Sequence, residues 1–196
     1  MTAPPTDTDP LPSWRPGPVR DAVVGFLDAV VEVDPARRVA VFDNDGTLWC
    51  ERPSYAQFDF LRHGLAGAVG RSPELGERPE YRAVLDGDRA ALADLGLARV
   101  AMALTEVFAD ITPEDFDREV RAFFADARNP VLDRPLRDLL YVPMLELVDA
   151  LRARGVTVCI VTGGGTEFVR AVSLDLYDVP PERVVGTMIR YRYERR

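Results

Sequence analysis

The spacing of hydrophobic residues changes along the chain and predicts strands that alternate with helices. Three short, continuous apolar runs predict buried strands: Val39–Phe42, Val156–Val161 and Val184–Ile189. Apolar residues at helical spacing predict helices in the ranges 19–33, 143–154 and 166–177. A continuous apolar run is typical of a strand covered on both faces. The pattern therefore predicts an α/β fold, a parallel sheet whose strands are joined by right-handed helical crossovers.

A helical module interrupts this alternation after the first strand. Apolar residues recur at helical spacing in the ranges 55–69, 89–108 and 114–127, and the pattern predicts no strand there. Thr112-Pro113 is typical of a helix start, with an N-cap followed by proline. We expect a disordered, proline-rich tail over residues 1–17, a core domain formed by 18–52 and 139–196, and an inserted helical domain over 53–138.

The charge of the chain restricts the partners that it can bind. The formal net charge is −8, which argues against nucleic acid and against anionic membrane surfaces, because both attract basic proteins. The N-terminal residues are polar and contain no apolar segment typical of a secretory signal. No apolar run approaches the ~20 residues that span a bilayer. These features predict a cytoplasmic location and no membrane partner.

Two acidic residues directly follow the first predicted strand. Asp43 and Asp45 stand in the segment Asp43-Asn44-Asp45-Gly46-Thr47, and their side chains would share a face if the strand continued. Two crowded carboxylates require a cation or a shared proton. Mg²⁺ is the natural cation for an oxygen-only site that also holds a phosphate. The alternative is an ordinary turn, since Asp, Asn and Gly are common turn residues.

A second polar segment, Thr162-Gly163-Gly164-Gly165, follows the second predicted strand. A hydroxyl group and backbone N–H groups at the start of a helix can bind an anion. Ligands of open α/β sheets bind outside the carboxyl ends of the strands, where both polar segments are expected. The alternative for this segment is a flexible turn between strand and helix.

The first segment resembles a motif of the haloacid dehalogenase (HAD) superfamily. The strand and the following Asp43-x-Asp45-Gly-Thr47-Leu match that family's first motif in register. The resemblance implies a Rossmann-like core and an aspartyl-phosphate mechanism. Asp43 would be the nucleophile and Asp45 the general acid and base. Both would bind Mg²⁺, through the Asp43 carboxylate and the Asp45 backbone carbonyl, and Thr47 would belong to the phosphate-binding residues.

The resemblance extends to the second segment and to the helical module. Thr162, Gly163 and Gly164 would bind the transferring phosphoryl group, as the family's second motif does. The module resembles the helical cap of the phosphoserine-phosphatase-like branch, and Glu51 lies near the position of a substrate-binding acid in that branch. The implied activity is Mg²⁺-dependent hydrolysis of a small phosphorylated metabolite. Dehalogenases and phosphomutases share the fold, but an acid at position 45 favours phosphoryl chemistry.

The family's third and fourth motifs have no counterpart in the sequence. They supply a lysine, sometimes an arginine, and one or two late acidic metal ligands, whereas this sequence contains no lysine. We therefore expect a C-terminally incomplete core with an open sheet edge, which a homo-oligomer or another partner would cover. The alternative to an active phosphatase is a catalytically impaired remnant that binds phosphate or another protein.

Overall fold

Five strands and eight α-helices make up the part of the chain that the computed structural model describes, residues 9–190 and residue 192. The strands are β1 (Val39–Phe42), β2 (Arg128–Asn129), β3 (Arg134–Pro135), β4 (Thr157–Gly165) and β5 (Val184–Thr187). The helices are α1 (Pro18–Ala29), α2 (Ala56–Arg71), α3 (Pro79–Asp86), α4 (Arg89–Leu95), α5 (Leu97–Glu106), α6 (Pro113–Asp126), α7 (Val142–Ala153) and α8 (Thr166–Tyr177).

The described residues form two compact units. One unit contains the described residues up to Cys50 and from Arg137 onward, and the other is Glu51–Leu136. The second unit begins at residue 51 where the sequence predicted 53, and ends at 136 where it predicted 138. The first unit holds the parallel sheet, and the second is mainly helical.

Three parallel strands form the sheet of the first unit in the order β1–β4–β5. Helix α7 leads into β4 and helix α8 connects β4 to β5. The predicted α/β fold with a Rossmann-like parallel sheet is therefore confirmed. The bounds of β1 and of α8 are those predicted, and β5 ends at Thr187, two residues earlier than expected.

Only one face of this sheet is buried. Ile160 pairs with Phe42 on one side and with Val184 on the other, and these three side chains are buried. The opposite face carries exposed valines at positions 39, 41, 161 and 185. The prediction that both faces of the sheet are covered is thus wrong for the described residues. Strand β4 is added beside β1, and β5 is added beside β4 in the same direction. Right-handed crossovers therefore bring the connecting helices α7 and α8 to the same face of the sheet.

Residues 9–17 are ordered and packed against the rest of the first unit, so the prediction of a disordered tail over 1–17 is wrong for its second half. Leu11 is fully buried, and the backbone N–H and the hydroxyl of Ser13 donate to the carboxylate of Glu146. Trp14 Nε1 donates to the carbonyl oxygen of Pro143 over 2.8 Å. This segment is therefore held by the start of α7, while residues 1–8 lie outside the described residues.

The helical unit has its own apolar core. Its buried members come from the three helices α2, α3 and α5: Leu65, Tyr81, Val84, Val100, Ala103 and Leu104. The Tyr81 hydroxyl donates to the Ala103 carbonyl over 2.9 Å, which ties α3 to α5. The predicted helix over 89–108 is divided at Gly96, whose φ of 81° favours glycine. The sequence did not predict α3 or the short β2–β3 hairpin.

Among the described residues, no helix combines the length and the apolar character that crossing a bilayer requires.

Candidate functional site

The first candidate loop follows β1 without a gap. Phe42 is the buried last residue of β1, and Asp43 follows it with an exposed side chain. The Asn44 backbone N–H donates to Asp43 Oδ1 over 2.8 Å. This local hydrogen bond restrains the carboxylate at the carboxyl end of the strand.

The carbonyl oxygen of Asn44 closes the loop from within. It accepts hydrogen bonds from the backbone N–H groups of Thr47, Leu48 and Trp49, over 3.1, 2.8 and 3.3 Å. Gly46 has a φ of 73°, a value that favours glycine, and its N–H donates to the Trp49 carbonyl over 2.9 Å. The segment 43–49 is thus a compact turn that carries both carboxylates, so the predicted turn and the candidate site are the same segment.

Asp45 is held by an aromatic side chain of its own loop. Trp49 Nε1 donates to Asp45 Oδ1 over 2.8 Å, and the indole is 3% exposed. The indole packs against the rings of Phe168 and Tyr177 in α8, with centroid distances of 6.1 and 6.2 Å. A buried donor with a fixed ring restricts the Asp45 carboxylate to one orientation.

Tyr177 lies close enough to Asp45 for the negative charge of that carboxylate to affect the pKa of the Tyr177 hydroxyl. Burial raises the pKa of the Tyr177 hydroxyl well above its usual range, and the negative charge of Asp45 raises it further. Within the part of the chain that the structure describes, the hydroxyl has no hydrogen-bond partner. Tyr177 therefore remains a neutral phenol under the first loop.

The second candidate loop is a continuation of its strand. β4 runs through Thr162, Gly163 and Gly164 to Gly165, with an irregularity in its pairing to β5 between Val161 and Gly165. A flexible turn is therefore not what this segment forms. Thr162 is 8% exposed, and its Oγ1 accepts the Gly164 N–H over 3.0 Å. The Gly164 N–H is thus directed at Thr162, and a contact of Gly164 with phosphate stays a prediction.

Strand β5 supports this second loop from the side. The Thr187 hydroxyl donates to the Gly163 carbonyl over 2.9 Å, and the Gly186 N–H donates to Thr166 Oγ1 over 2.9 Å. A Cβ atom at Gly186 would lie 2.5 Å from the Gly164 carbonyl oxygen and 3.0 Å from Thr162 Cγ2. Glycine is thus required at position 186, because the two backbones approach closely.

The pairing register brings the two loops to one edge of the sheet. Phe42 pairs with Ile160 in the parallel β1–β4 ladder. Asp43 follows Phe42 by one residue, and Thr162 follows Ile160 by two. The structure therefore brings together the segments that carry Asp43, Asp45 and Thr47 with those that carry Thr162, Gly163 and Gly164. Glu51 belongs to the helical unit, and its Oε1 lies 3.5 Å from Arg52 Nε in an ion pair. The predicted contact of Glu51 with substrate stays a prediction.

The first loop offers the donor atoms that Mg²⁺ prefers. The Asp43 carboxylate and the Asp45 backbone carbonyl are oxygen ligands on residues two apart. Among the described residues, no cluster of three or more His, Cys, Asp or Glu side chains could hold a metal ion. Mg²⁺ commonly uses one or two carboxylates, with water and substrate phosphate completing its coordination. This donor set therefore fits Mg²⁺ and does not fit a metal that requires an all-protein cage.

Sequence reasoning missed the residues that support the site. Thr166, Gly186 and Thr187 hold the second loop, and the side chain of Trp49 holds Asp45. One available signal was Gly186 inside an apolar strand, since an isolated glycine in a strand often marks a close backbone approach. No local pattern indicated the pairing of Thr187 with Gly163, which is 24 residues away.

Comparisons with known proteins show the family to which the chain belongs. The model of the haloacid dehalogenase-like hydrolase family matches residues 40–195. The chain is similar to a phosphoserine phosphohydrolase-like protein from Francisella tularensis subsp. tularensis SCHU S4 whose crystal structure is known. The two sequences are 20% identical, and the two structures superpose with a TM-score of 0.39. That match covers 76% of this chain and 57% of the Francisella protein. A search of curated proteins finds no match. The family match spans both loops and most of the chain, and the protein thus belongs to the haloacid dehalogenase-like hydrolases.

Proposed function

We propose that this hydrolase is a Mg²⁺-dependent phosphomonoesterase that acts through an aspartyl-phosphate at Asp43. The observation that carries the proposal is the pairing of β1 with β4, which places the acidic loop and the Thr162 loop at one sheet edge. A nucleophile and a phosphoryl-binding hydroxyl must reach the same phosphorus atom, and adjacent strand ends are a rigid way to arrange this.

Asp43 and Asp45 have different surroundings that suit different roles. Asp43 is exposed, so its carboxylate is accessible for attack on phosphorus and for formation of the phospho-enzyme. Asp45 is half-buried and oriented by Trp49, which suits a group that gives a proton to the leaving alcohol and later takes one from water. Proton transfer at this position favours phosphoryl chemistry over cleavage of a carbon–halogen bond.

Thr162 and Gly163 are the proposed phosphoryl-binding groups. The Thr162 hydroxyl and the Gly163 N–H would bind phosphoryl oxygens, and Thr47 lies in the opposing loop. Apart from Gly163 itself and its two chain neighbours, no described residue has an atom within 4 Å of a Cβ built at Gly163, so the space beside it is open. Mg²⁺ would be held by the Asp43 carboxylate and the Asp45 carbonyl. When bound, it reduces the repulsion between a carboxylate and a phosphate dianion.

The helical unit is the proposed cap that selects the substrate. An inserted unit with its own core can move as one body over a site and exclude water. We propose membership of the phosphoserine-phosphatase-like branch, with Glu51 contacting a small phosphorylated metabolite. A cytoplasmic location stays a prediction from the sequence.

Release of inorganic phosphate from p-nitrophenyl phosphate tests the proposal. We expect turnover that requires Mg²⁺ and is abolished by chelation. Asp43→Asn should lower kcat by about 10³-fold or more, as expected for loss of a nucleophile. Asp21→Asn, an exposed aspartate on α1, is the matched control and should be unaffected. Mg²⁺-dependent turnover that survives Asp43→Asn would rule out the mechanism.

A second candidate function is a catalytically impaired module that binds phosphate or a protein. The exposed valines at 39, 41, 161 and 185 favour it, because one face of the sheet is an apolar surface. A second copy of the chain is the partner that we propose for this face and for the edge strands β1 and β5. Absence of turnover together with phosphate binding and concentration-dependent dimerisation in sedimentation would favour this alternative.

A further inference from the structure

Two hydrogen bonds hold a single peptide group of the second loop at both of its ends. The carbonyl of Gly163 accepts from the Thr187 hydroxyl over 2.9 Å. The N–H of the same peptide group, which belongs to Gly164, donates to Thr162 Oγ1 over 3.0 Å. The C=O and N–H of a trans peptide point in opposite directions. The Gly163–Gly164 peptide is therefore fixed between strand β5 and the Thr162 side chain.

This arrangement determines what the Thr162 hydroxyl can do. A hydroxyl has one proton to donate and two lone pairs that accept. One lone pair of Thr162 Oγ1 is occupied by the Gly164 N–H, so the hydroxyl proton is directed elsewhere. In the described part of the chain, Thr162 Oγ1 donates to no protein acceptor. Its proton is thus available to a phosphoryl oxygen, the interaction that the proposed function requires.

The neighbouring contacts of β5 keep Thr187 in register with the loop. Gly186 brings its backbone close to Gly164, and its N–H is bound by Thr166 Oγ1 at the start of α8. Thr187 pairs with Gly165 in the ladder. The Thr187 side chain is exposed, so its hydroxyl contributes a directional contact to the loop and little to the apolar core.

We propose that Thr187 is a positioning residue of the phosphoryl site. Its hydroxyl fixes the Gly163–Gly164 peptide, and that peptide orients Thr162 as a hydrogen-bond donor to the phosphoryl group. Thr187 itself does not contact the substrate. The proposal rests on the proposed function only for the identity of the ligand.

The test compares Thr187→Val, which removes the hydroxyl at nearly constant shape, with Thr187→Ser, which retains it. Calorimetric titration with inorganic phosphate in the presence of Mg²⁺ gives the dissociation constant. We expect Thr187→Val to weaken phosphate binding about tenfold, the effect of one net hydrogen bond. Thr187→Ser should remain within about twofold of the unmodified chain.

Thr157→Val is the matched control, since Thr157 lies in the same sheet at the opposite end of β4. It should bind phosphate like the unmodified chain, and Thr187→Val, which loses an exposed hydrogen bond, should melt no more than about 5 °C below the unmodified chain. If the enzyme turns over p-nitrophenyl phosphate, Thr187→Val should raise KM and lower kcat, while Thr157→Val changes neither.

The outcomes separate this inference from the proposed function. Phosphate binding without turnover, weakened by Thr187→Val and restored by Thr187→Ser, would support the positioning role while the hydrolase activity fails. The inference is overturned if Thr187→Val binds phosphate as tightly as the unmodified chain, or if Thr187→Ser binds as weakly as Thr187→Val. It is overturned as well if the unmodified chain binds no phosphate.

Discussion

The two loops at the sheet edge are held in different ways. The first loop closes on itself, with the Asn44 carbonyl accepting three N–H groups and Trp49 binding Asp45. The second loop has an internal hydrogen bond from the Gly164 N–H to Thr162 Oγ1, and Thr187 and Gly186 of β5 also support it. The first loop is thus closed mainly by its own hydrogen bonds, while the second loop also uses a strand that comes 20 residues or more later in the chain.

The largest expected effect tests the external support of the second loop. Gly186→Ala should lower the free energy of unfolding by about 3 kcal/mol, at the upper end of overpacking costs, because the new Cβ would meet a backbone carbonyl at 2.5 Å. Urea denaturation measures this change, and phosphate binding should be lost with it.

Gly25→Ala is the matched control for that substitution. Gly25 lies in α1, and beyond its chain neighbours and the adjacent helix backbone a Cβ there would meet no described atom within 4 Å. The same chemical change should then raise the free energy of unfolding by about 0.5–1 kcal/mol, since alanine is the better helix former. Equal stability of the two variants would show that the approach of β5 to the second loop is not tight.

A smaller effect tests the internal closure of the first loop. Trp49→Phe keeps an aromatic ring but removes the N–H that binds the Asp45 carboxylate. Loss of a hydrogen bond to a charged group should lower the free energy of unfolding by about 2 kcal/mol. The activity should fall mainly in kcat, because Asp45 loses its fixed orientation.

Trp14→Phe is the control, because Trp14 Nε1 binds the neutral carbonyl of Pro143. Its loss should cost only about 1 kcal/mol and leave kcat unchanged. A kcat for Trp49→Phe that matches the Trp14→Phe value would contradict the proposed role of the indole. Chemical denaturation and steady-state kinetics on the same preparations measure both quantities.

The smallest effect concerns the phenol beneath the first loop. Tyr177→Phe removes a buried hydroxyl that has no partner among the described residues, so stability at neutral pH should change by less than about 1 kcal/mol, towards stabilisation. Above pH 10.0 the two chains should diverge. The raised pKa of Tyr177 keeps it protonated in the folded state while the unfolded chain loses the proton, so the unmodified chain loses stability as pH rises. Parallel stability–pH curves would contradict the burial of this hydroxyl.

The same contrast explains how much the sequence could predict. β1, α8 and the acidic loop depend on adjacent residues, and a local pattern is sufficient for them. The contacts of Thr187 and Gly186 with the second loop depend on strand pairing between distant segments, which periodicity does not reveal. The apolar run of β1 could not indicate which face would be covered, because that depends on the direction in which later strands are added.

The helical unit shows a further limit of periodicity. The apolar pattern over 89–108 continues across Gly96, but the chain turns there with a φ of 81° and forms two helices. Arg128–Asn129 and Arg134–Pro135 pair as a hairpin although their residues are polar or proline. Short strands of this kind are determined by hydrogen bonds around Asn129, whose side chain accepts from Val131 and Leu132.

If both loops bind one phosphoryl group, a crystal soaked with tungstate and Mg²⁺ should show the two loops at a single bound anion. Tungstate mimics phosphate, and anomalous scattering locates the metal atom. We expect one tungstate site whose oxygens lie within about 3.5 Å of Thr162 Oγ1 and of the Gly163 backbone nitrogen, next to the Asp43 carboxylate. Tungstate bound at either loop alone, or only elsewhere on the protein, would contradict it.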